Sequence, residues 1–513
     1  MSIAARVYVL PVVALAVCLG GCERRTESAD APRAAIHELR RGLGAEPETL
    51  DPQLAADNAS LAVVGDLYEG LATESADGTI VPGAAASWQV SPDGLTWTFT
   101  LRPGLRWSNG DPLAAEHFAA ALRSVLAPGT TAPNAGLLEG VLSVAVPRPD
   151  TLQLLLRRPM PYLASVLALP VAAPMHPSSG HAEIRPGNGP FRLVRWQRGE
   201  RLDLERNLYY RAAADVRIDR VSYRPVTDLA TELNLYRSGA IDLTSEVPNS
   251  QLPWLREHLP DELKIAPYLS TYGYAVNLTR LPDRSARLAL AMAADRERIT
   301  SLVTGAGEQP AYGWVPAGLP GYSPKGFAWR EWPASRRVSQ ARSLWSDAAA
   351  RGAAPRAVTL CTDASANHHR TAVALADQWH TSLGVEVRIV ELEWNVYLAT
   401  RTAPGDCDLV RLGWSADFVD PEAFAAVFAS HHPQNTLGYS SARYDALIAQ
   451  SRHASDTAER MRLLAEAEGT LLDDVPVIPI FHRVSKRLVK PDVTGYRANP
   501  LGHLASRNLH FRD

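Results

Sequence analysis

Three short apolar runs, Val358–Cys361, Val385–Val390 and Leu409–Trp414, alternate with two segments of helical spacing, His369–Leu383 and Val396–Thr402. Strands joined through helices pair in parallel with right-handed crossovers, because each helix must fold back onto the sheet that precedes it. This alternation predicts an α/β fold with a parallel sheet in the C-terminal half. Upstream, Ser60–Gly70 places Leu61, Val64, Leu67 and Tyr68 on one helical face. Ala84–Val90 and Thr96–Leu101 flank the turn Ser91-Pro92-Asp93-Gly94 as paired strands. Ala114–Leu126 is an amphipathic helix, Thr151–Leu156 alternates as a strand, and Gly189–Arg198 with Arg201–Glu205 reads as a hairpin tipped by Gly199. Helices are expected over Asp228–Ser238, Ser285–Ala294, Arg296–Val303 and Asp456–Leu472, and strands over Ala35–Arg41 and Val477–Phe481. A chain of roughly 490 residues beyond the leader then makes about two to four domains or lobes.

The leader sets the compartment. Arg6 precedes the apolar run Val7–Leu19, which is shorter than the ~20 residues a spanning helix needs. It ends in Leu19-Gly20-Gly21-Cys22, which resembles a bacterial lipobox with Cys22 as the lipidated N-terminus; the alternative is an ordinary secretory signal with an incidental cysteine. Residues 1–22 are thus expected to be a lipoprotein signal peptide, and the polar stretch 23–33 a tether. The expected location is the periplasm or cell envelope, anchored to a bacterial membrane. Cys361 closes one predicted strand and Cys407 opens another, so parallel neighbours would hold the thiols at opposite ends, and both are expected free.

The formal charge of −3 and the lack of a basic stripe argue against nucleic acid as a partner. No H-E-x-x-H, P-loop or C-x-x-C pattern occurs, and Gly305-Ala306-Gly307 lacks the rest of a dinucleotide fingerprint. In Gly413-Trp414-Ser415-Ala416-Asp417 an Asp stands where a nucleophile elbow needs its second Gly, so Ser415 is a poor nucleophile. No cofactor and no catalytic group is expected. What remains is the strand end LVRLGWSADFVDP, Leu409–Pro421, with Arg411 inside a buried run and Asp417 just beyond it. Such charges are costly unless paired. The partners are either internal or the amine and carboxylate of a ligand.

Several blocks in consistent order carry a family resemblance. They are DLYEGLATESADGTIVPGAAASW at Asp66–Trp88, WTFTLRPGLRWSNGDPLAAEHF at Trp97–Phe118 and NGPFRLVRW at Asn188–Trp196. PDELKIAPYLSTYGYAVN at Pro260–Asn277, PAYGWVP at Pro310–Pro316, GWSADFVDP at Gly413–Pro421 and RLVKPDVTGY at Arg487–Tyr496 follow. From about Ile36 onward the chain resembles the periplasmic oligopeptide-binding proteins of ABC importers. The resemblance implies a two-lobed periplasmic-binding-protein clamp, type II-like, with an extra third domain. Lobe I is expected from 34–68, 189–271 and 485–513, the extra domain from 69–188, and lobe II from 272–484. Hinge crossings are expected at Pro267–Asn277 and around Ser485. The implied function is capture of short peptides by a monomer that delivers them to an ABC membrane permease.

The resemblance also implies roles residue by residue. Gly413 and Ser415 match positions that bond the peptide backbone, as in strand addition. Asp417 matches the carboxylate that holds the α-amino group; its local alternative is a cap or turn before Asp420-Pro421. Arg411, Arg401 and His368 match positions that meet the C-terminal carboxylate; the alternatives are an internal salt bridge for Arg411, a solvated helix end for Arg401 and a shift to His369 for His368. Trp394 and Trp414 are apolar walls or core. The chain departs from the pattern at Glu246 and Val247, where relatives carry Asn, and at Phe481-His482-Arg483, where they carry a Tyr-rich run. Thr304 replaces a basic residue, and Ser270 and Ser415 occupy the positions of a family disulfide. Glu246, His482 and Arg483 would thus alter side-chain preference, toward acidic or modified peptides such as cell-wall fragments. The alternatives are a receptor for dipeptides, murein peptide or a metal chelate, and an exported peptidase.

Overall fold

The computed structural model describes residues 36–178, 185–432, 434–435, 438–454 and 456–512. The signal peptide, the tether and Cys22 lie outside the described residues. Two four-stranded sheets and one six-stranded sheet carry most of the chain.

The first sheet orders Glu38–Gly42, Arg220–Arg224, Arg201–Arg206 and Phe191–Gln197 from edge to edge. Glu38–Gly42 runs parallel to Arg220–Arg224, and the expected hairpin around Gly199 supplies the other two strands. Asn58–Leu67 begins at an N-cap in which Asp57 accepts from the Ser60 N–H at 2.9 Å. The second sheet is antiparallel and orders Ala85–Val90, Thr96–Leu101, Thr151–Leu156 and Val141–Arg148, covered by the helix Ala115–Leu126. The alternating burial of Thr96–Leu101 puts Trp97, Phe99 and Leu101 inside.

The six-stranded sheet is mixed rather than parallel, which corrects the expectation from the sequence. Ala357–Asp363, Glu386–Leu392 and Leu409–Ser415 form the parallel part. The other edge is antiparallel and built on Leu263–Val276, which pairs with both Leu409–Ser415 and Val477–Leu488. The expected strand at Val477–Phe481 therefore runs seven residues further, to Leu488. These two long strands link the sheets. Leu243 bridges Val489 at one end and Arg41 of the first sheet, while Val276 lies deep in the six-stranded sheet. Midway the pairing is interrupted, since Pro267 faces Val484 and Thr271 faces His482. Three residues, 268–270, thus oppose Arg483 alone, a bulge at the hinge the sequence suggests. Gly273 follows, where a Cβ would lie 2.5 Å from the Ile478 carbonyl oxygen.

A disulfide joins Cys361 and Cys407, with Cα atoms 5.8 Å apart, and corrects the expectation of free thiols. The parallel strands are staggered: Leu360 pairs with Leu409 and Cys361 with Val410. Leu409–Ser415 starts beside the middle of its neighbour, so the residues leading into it reach Cys361. Tyr397 and Val410 pack around the bond.

Candidate functional site

The strand Leu409–Ser415 builds the site. On one side it pairs with Leu263–Val276 along its whole length, but on the other Ala357–Asp363 covers only Leu409 and Val410. From Arg411 to Ser415 that edge has no strand partner among the described residues. An unpaired edge is a template for an added strand. Gly413 keeps it slim, since a Cβ there would lie 3.0 Å from Arg411 Nη1. Ser415 faces Ser270 in the ladder and donates to its Oγ at 3.0 Å. Trp414 is half-buried and donates from Nε1 to the Ala423 carbonyl at 2.7 Å.

Asp417 lies two residues past the strand. Burial pushes its carboxyl up to about 6, with nearby His503 opposing. Among the described residues no hydrogen bond or ion pair to its carboxylate is found. The capping role open to it in the sequence belongs to Asp420, which accepts from the Glu422 N–H at 2.9 Å and pairs with Arg460 at 2.8 Å. Asp417 is thus a desolvated carboxylate without a hydrogen-bonding or ion-pair partner among the described residues.

The other end is cationic. Arg411 is buried, with Nε 2.7 Å from Asp363 Oδ1 and its guanidinium over the Tyr397 ring at 4.5 Å. The internal salt bridge is therefore real, and its partner is Asp363. His368 Nδ1 lies 2.9 Å from the same carboxylate. Burial opposes ionisation of Asp363, but the His368 bond and the Arg411 charge hold it down at about 2. Burial, reinforced by Arg411, pushes His368 down to about 4, so it is neutral near pH 7. Arg401 and Arg411 both line a cavity of about 30 Å³ with Trp414, Phe428 and Asn435, room for a water or two. Trp394 is 41 % exposed, a wall rather than core.

The remaining predicted residues lie between these ends. Glu246 Oε1 is 3.6 Å from Lys486 Nζ, and burial, which would raise its carboxyl, is outweighed by Lys486 and Arg483. Asn367, the neighbour of His368, donates from Nδ2 to Glu246 at 3.5 Å and accepts the Asn249 N–H at 3.1 Å. His482 meets Thr271 Oγ1 at 2.9 Å and is pushed down to about 4 by burial. Arg483 lies over Tyr268, 5.9 Å from the ring centroid. Glu246 keeps 34 % of its side chain accessible although burial is the first influence on its titration. The same holds for His503, at 43 %.

Sequence reasoning missed Asp363, His503 and Glu74. His503 Nδ1 sits 2.9 Å from Glu74 across 429 positions, a pairing without local signal. Asp363 had one, because a buried Arg411 requires a carboxylate.

These features define an extracytoplasmic solute-binding clamp. The profile described as "Bacterial extracellular solute-binding proteins, family 5 Middle" matches residues 79–436. The periplasmic oligopeptide-binding protein OppA of Escherichia coli is 33 % identical over 92 % of both chains. Haemophilus influenzae OppA in complex with the peptide RPPGFSPFR superposes with a TM-score of 0.87 at 31 % identity, covering 93 % of this chain and 99 % of that one. The murein tripeptide-binding protein MppA of Escherichia coli superposes at 0.88 with 29 % identity over 93 % and 99 %, but in its unliganded open form at 0.71 over 93 % and 98 %. The lobes here are therefore not arranged as in that open form. The chain belongs to family 5 of the bacterial extracellular solute-binding proteins and has their two-lobed fold. Among the described residues no helix is long and apolar enough to cross a membrane.

Proposed function

We propose that this protein captures short peptides outside the cytoplasm and delivers them to an ABC import permease. One observation carries the reading: an unpaired strand edge, Arg411–Ser415, ends beside an unpartnered, desolvated carboxylate, Asp417. A peptide laid on that edge bonds through its main chain and so needs no particular sequence. Its α-ammonium meets Asp417, and a charge-assisted bond in a dry cleft is strong. Its carboxylate meets the cationic end formed by Arg401, Arg411 and neutral His368. The boundaries read from the sequence are our proposal for the lobes: 34–68, 189–271 and 485–513 for the first, 69–188 for the extra domain, and 272–484 for the second. The lobes close about the bulge at 268–270. The receptor works as a monomer held to the membrane by lipid on Cys22, and the non-enzymatic character of the family accords with binding alone.

Calorimetry with Ala-Ala-Ala and its N-acetyl derivative tests the reading. Acetylation removes the cation that Asp417 awaits and should abolish measurable binding. Equal affinity of the two peptides would refute the assignment.

A further inference from the structure

Between the two anchors stands Tyr268, in the bulge. Its hydroxyl donates to Ser415 Oγ at 2.7 Å, and Gly502 stands against its ring, where a Cβ would lie 3.0 Å from Cε2. Two cations converge on it. Arg483 lies over the ring. Arg487 donates from Nη2 to the Gly502 carbonyl at 3.2 Å, while its buried Nε has no hydrogen-bond partner among the described residues.

Buried arginines elsewhere have polar partners. Arg411 has Asp363, and Arg460 has Asp420 and Glu422. Among the described residues Arg296 has no carboxylate at salt-bridge distance but donates to four backbone carbonyls. Among the described residues neither Arg483 nor Arg487 has a carboxylate oxygen within 4.0 Å. The nearby acids are engaged: Glu246 and Glu308 share Lys486, at 3.6 and 3.2 Å, and Glu74 holds His503. Burial disfavours the charge of Arg487, and no carboxylate at salt-bridge distance offsets it. Arg483 acts electrostatically on His368, and Arg487 on His503, which also feels Asp417, so with Tyr268 against Ser415 the pair lies between the two anchors.

We propose that Arg483 and Arg487, set around Tyr268, form a subsite for a second carboxylate carried within the bound peptide, on an acidic residue between its amine and its terminal carboxylate. This rests on the peptide-receptor reading and adds a preference to it. The carboxylate accepts from both guanidiniums, and Tyr268 supplies an apolar face for the methylene arm. An acidic side chain and the free α-carboxylate of a γ-linked glutamate offer the same chemistry.

The test is calorimetry on the intact chain with Ala-Glu-Ala, Ala-Gln-Ala and Ala-γ-Glu-Ala. At least one acidic peptide should bind about tenfold or more tightly than the neutral isostere, and which one does so identifies the linkage. Arg483→Gln and Arg487→Gln should each bring that ratio toward one, whatever they do to the affinity the peptides share. Arg483→Lys keeps the charge and should keep part of the ratio, which a merely structural arginine would not predict. Equal binding of all three peptides to the wild type, or an unchanged ratio in both glutamine variants, overturns the subsite while peptide capture stands. Failure of every peptide to bind overturns both.

Discussion

Peptide affinity should depend on pH through Asp417. In the empty cleft its carboxyl titrates at about 6, because burial disfavours the anion. A bound ammonium favours the anion and pulls the titration well below that value. Binding therefore requires a proton to leave, and protons compete with peptide below pH 6. With a single site of this pKa, lowering the pH from about 6.5 to about 5 should raise the apparent Kd about eightfold. In this window the peptide's own termini do not change charge. His503, raised by Glu74 despite burial, stays protonated toward its lower end, and His368, at about 4, stays mostly neutral. Asp417→Asn should bind more weakly, on the order of a hundredfold (about 3 kcal/mol), and its residual affinity should lose the slope. Calorimetry in two buffers of different ionisation enthalpy would count the protons released. A flat wild-type profile, or an equal slope in Asp417→Asn, would refute the argument.

The same carboxylate burdens the empty fold. A raised carboxyl pKa makes the folded state less stable above the unfolded value near 4, so Asp417→Asn should stabilise the empty receptor at neutral pH by on the order of 1 kcal/mol and by nothing near pH 3, read by thermal denaturation. His368 and His482 have depressed values of about 4; the stability they confer is present above about pH 6.5 and lost as pH falls toward 4, so the melting temperature should decline across that range. Asp363→Ala strands Arg411 in a buried site and should cost about 3–5 kcal/mol in urea titration, more than Arg411→Met. Removing the 46-residue link by Cys361→Ser with Cys407→Ser should lower stability by up to about 4 kcal/mol, matched by adding reductant to the wild type. Gly413→Ala should displace the Arg411 guanidinium and weaken tripeptide binding several-fold, with stability changed by about 1 kcal/mol at most.

Much of this fold is visible in the chain because burial repeats with the period of each element. Thr96–Leu101 and Ala115–Leu126 fall within a residue of the expected bounds. The central strand Leu263–Val276 is hidden, since KIAPYLSTYGYAV contains Pro267, lacks clean alternation and is kinked by the bulge. The mixed sheet follows from that strand, which reverses the edge next to the parallel part. The disulfide depends on a strand offset that no local pattern states. At the site, Asp417 and Arg411 are marked by being charged beside apolar runs. Their different fates are not marked: Arg411 has Asp363 from a neighbouring strand, whereas Asp417 is left open because Asp420 takes the capping work. Glu74, His503 and Arg487 come from distant segments and meet only in the folded chain.

The bulge has a mechanical consequence. Residues 268–270 facing Arg483 interrupt the ladder that joins the two sheets, and they also carry Tyr268, which touches Ser415. In the proposed receptor the hinge and the floor of the cleft would be one set of atoms. A ligand gripping this floor would then stiffen the joint directly, with no relay needed, and holding time and shape change would form one adjustable quantity. Amide exchange at 268–270 and 483 should report occupancy as faithfully as any probe attached to the ligand, and substitutions chosen to alter side-chain preference there will alter the opening rate with it.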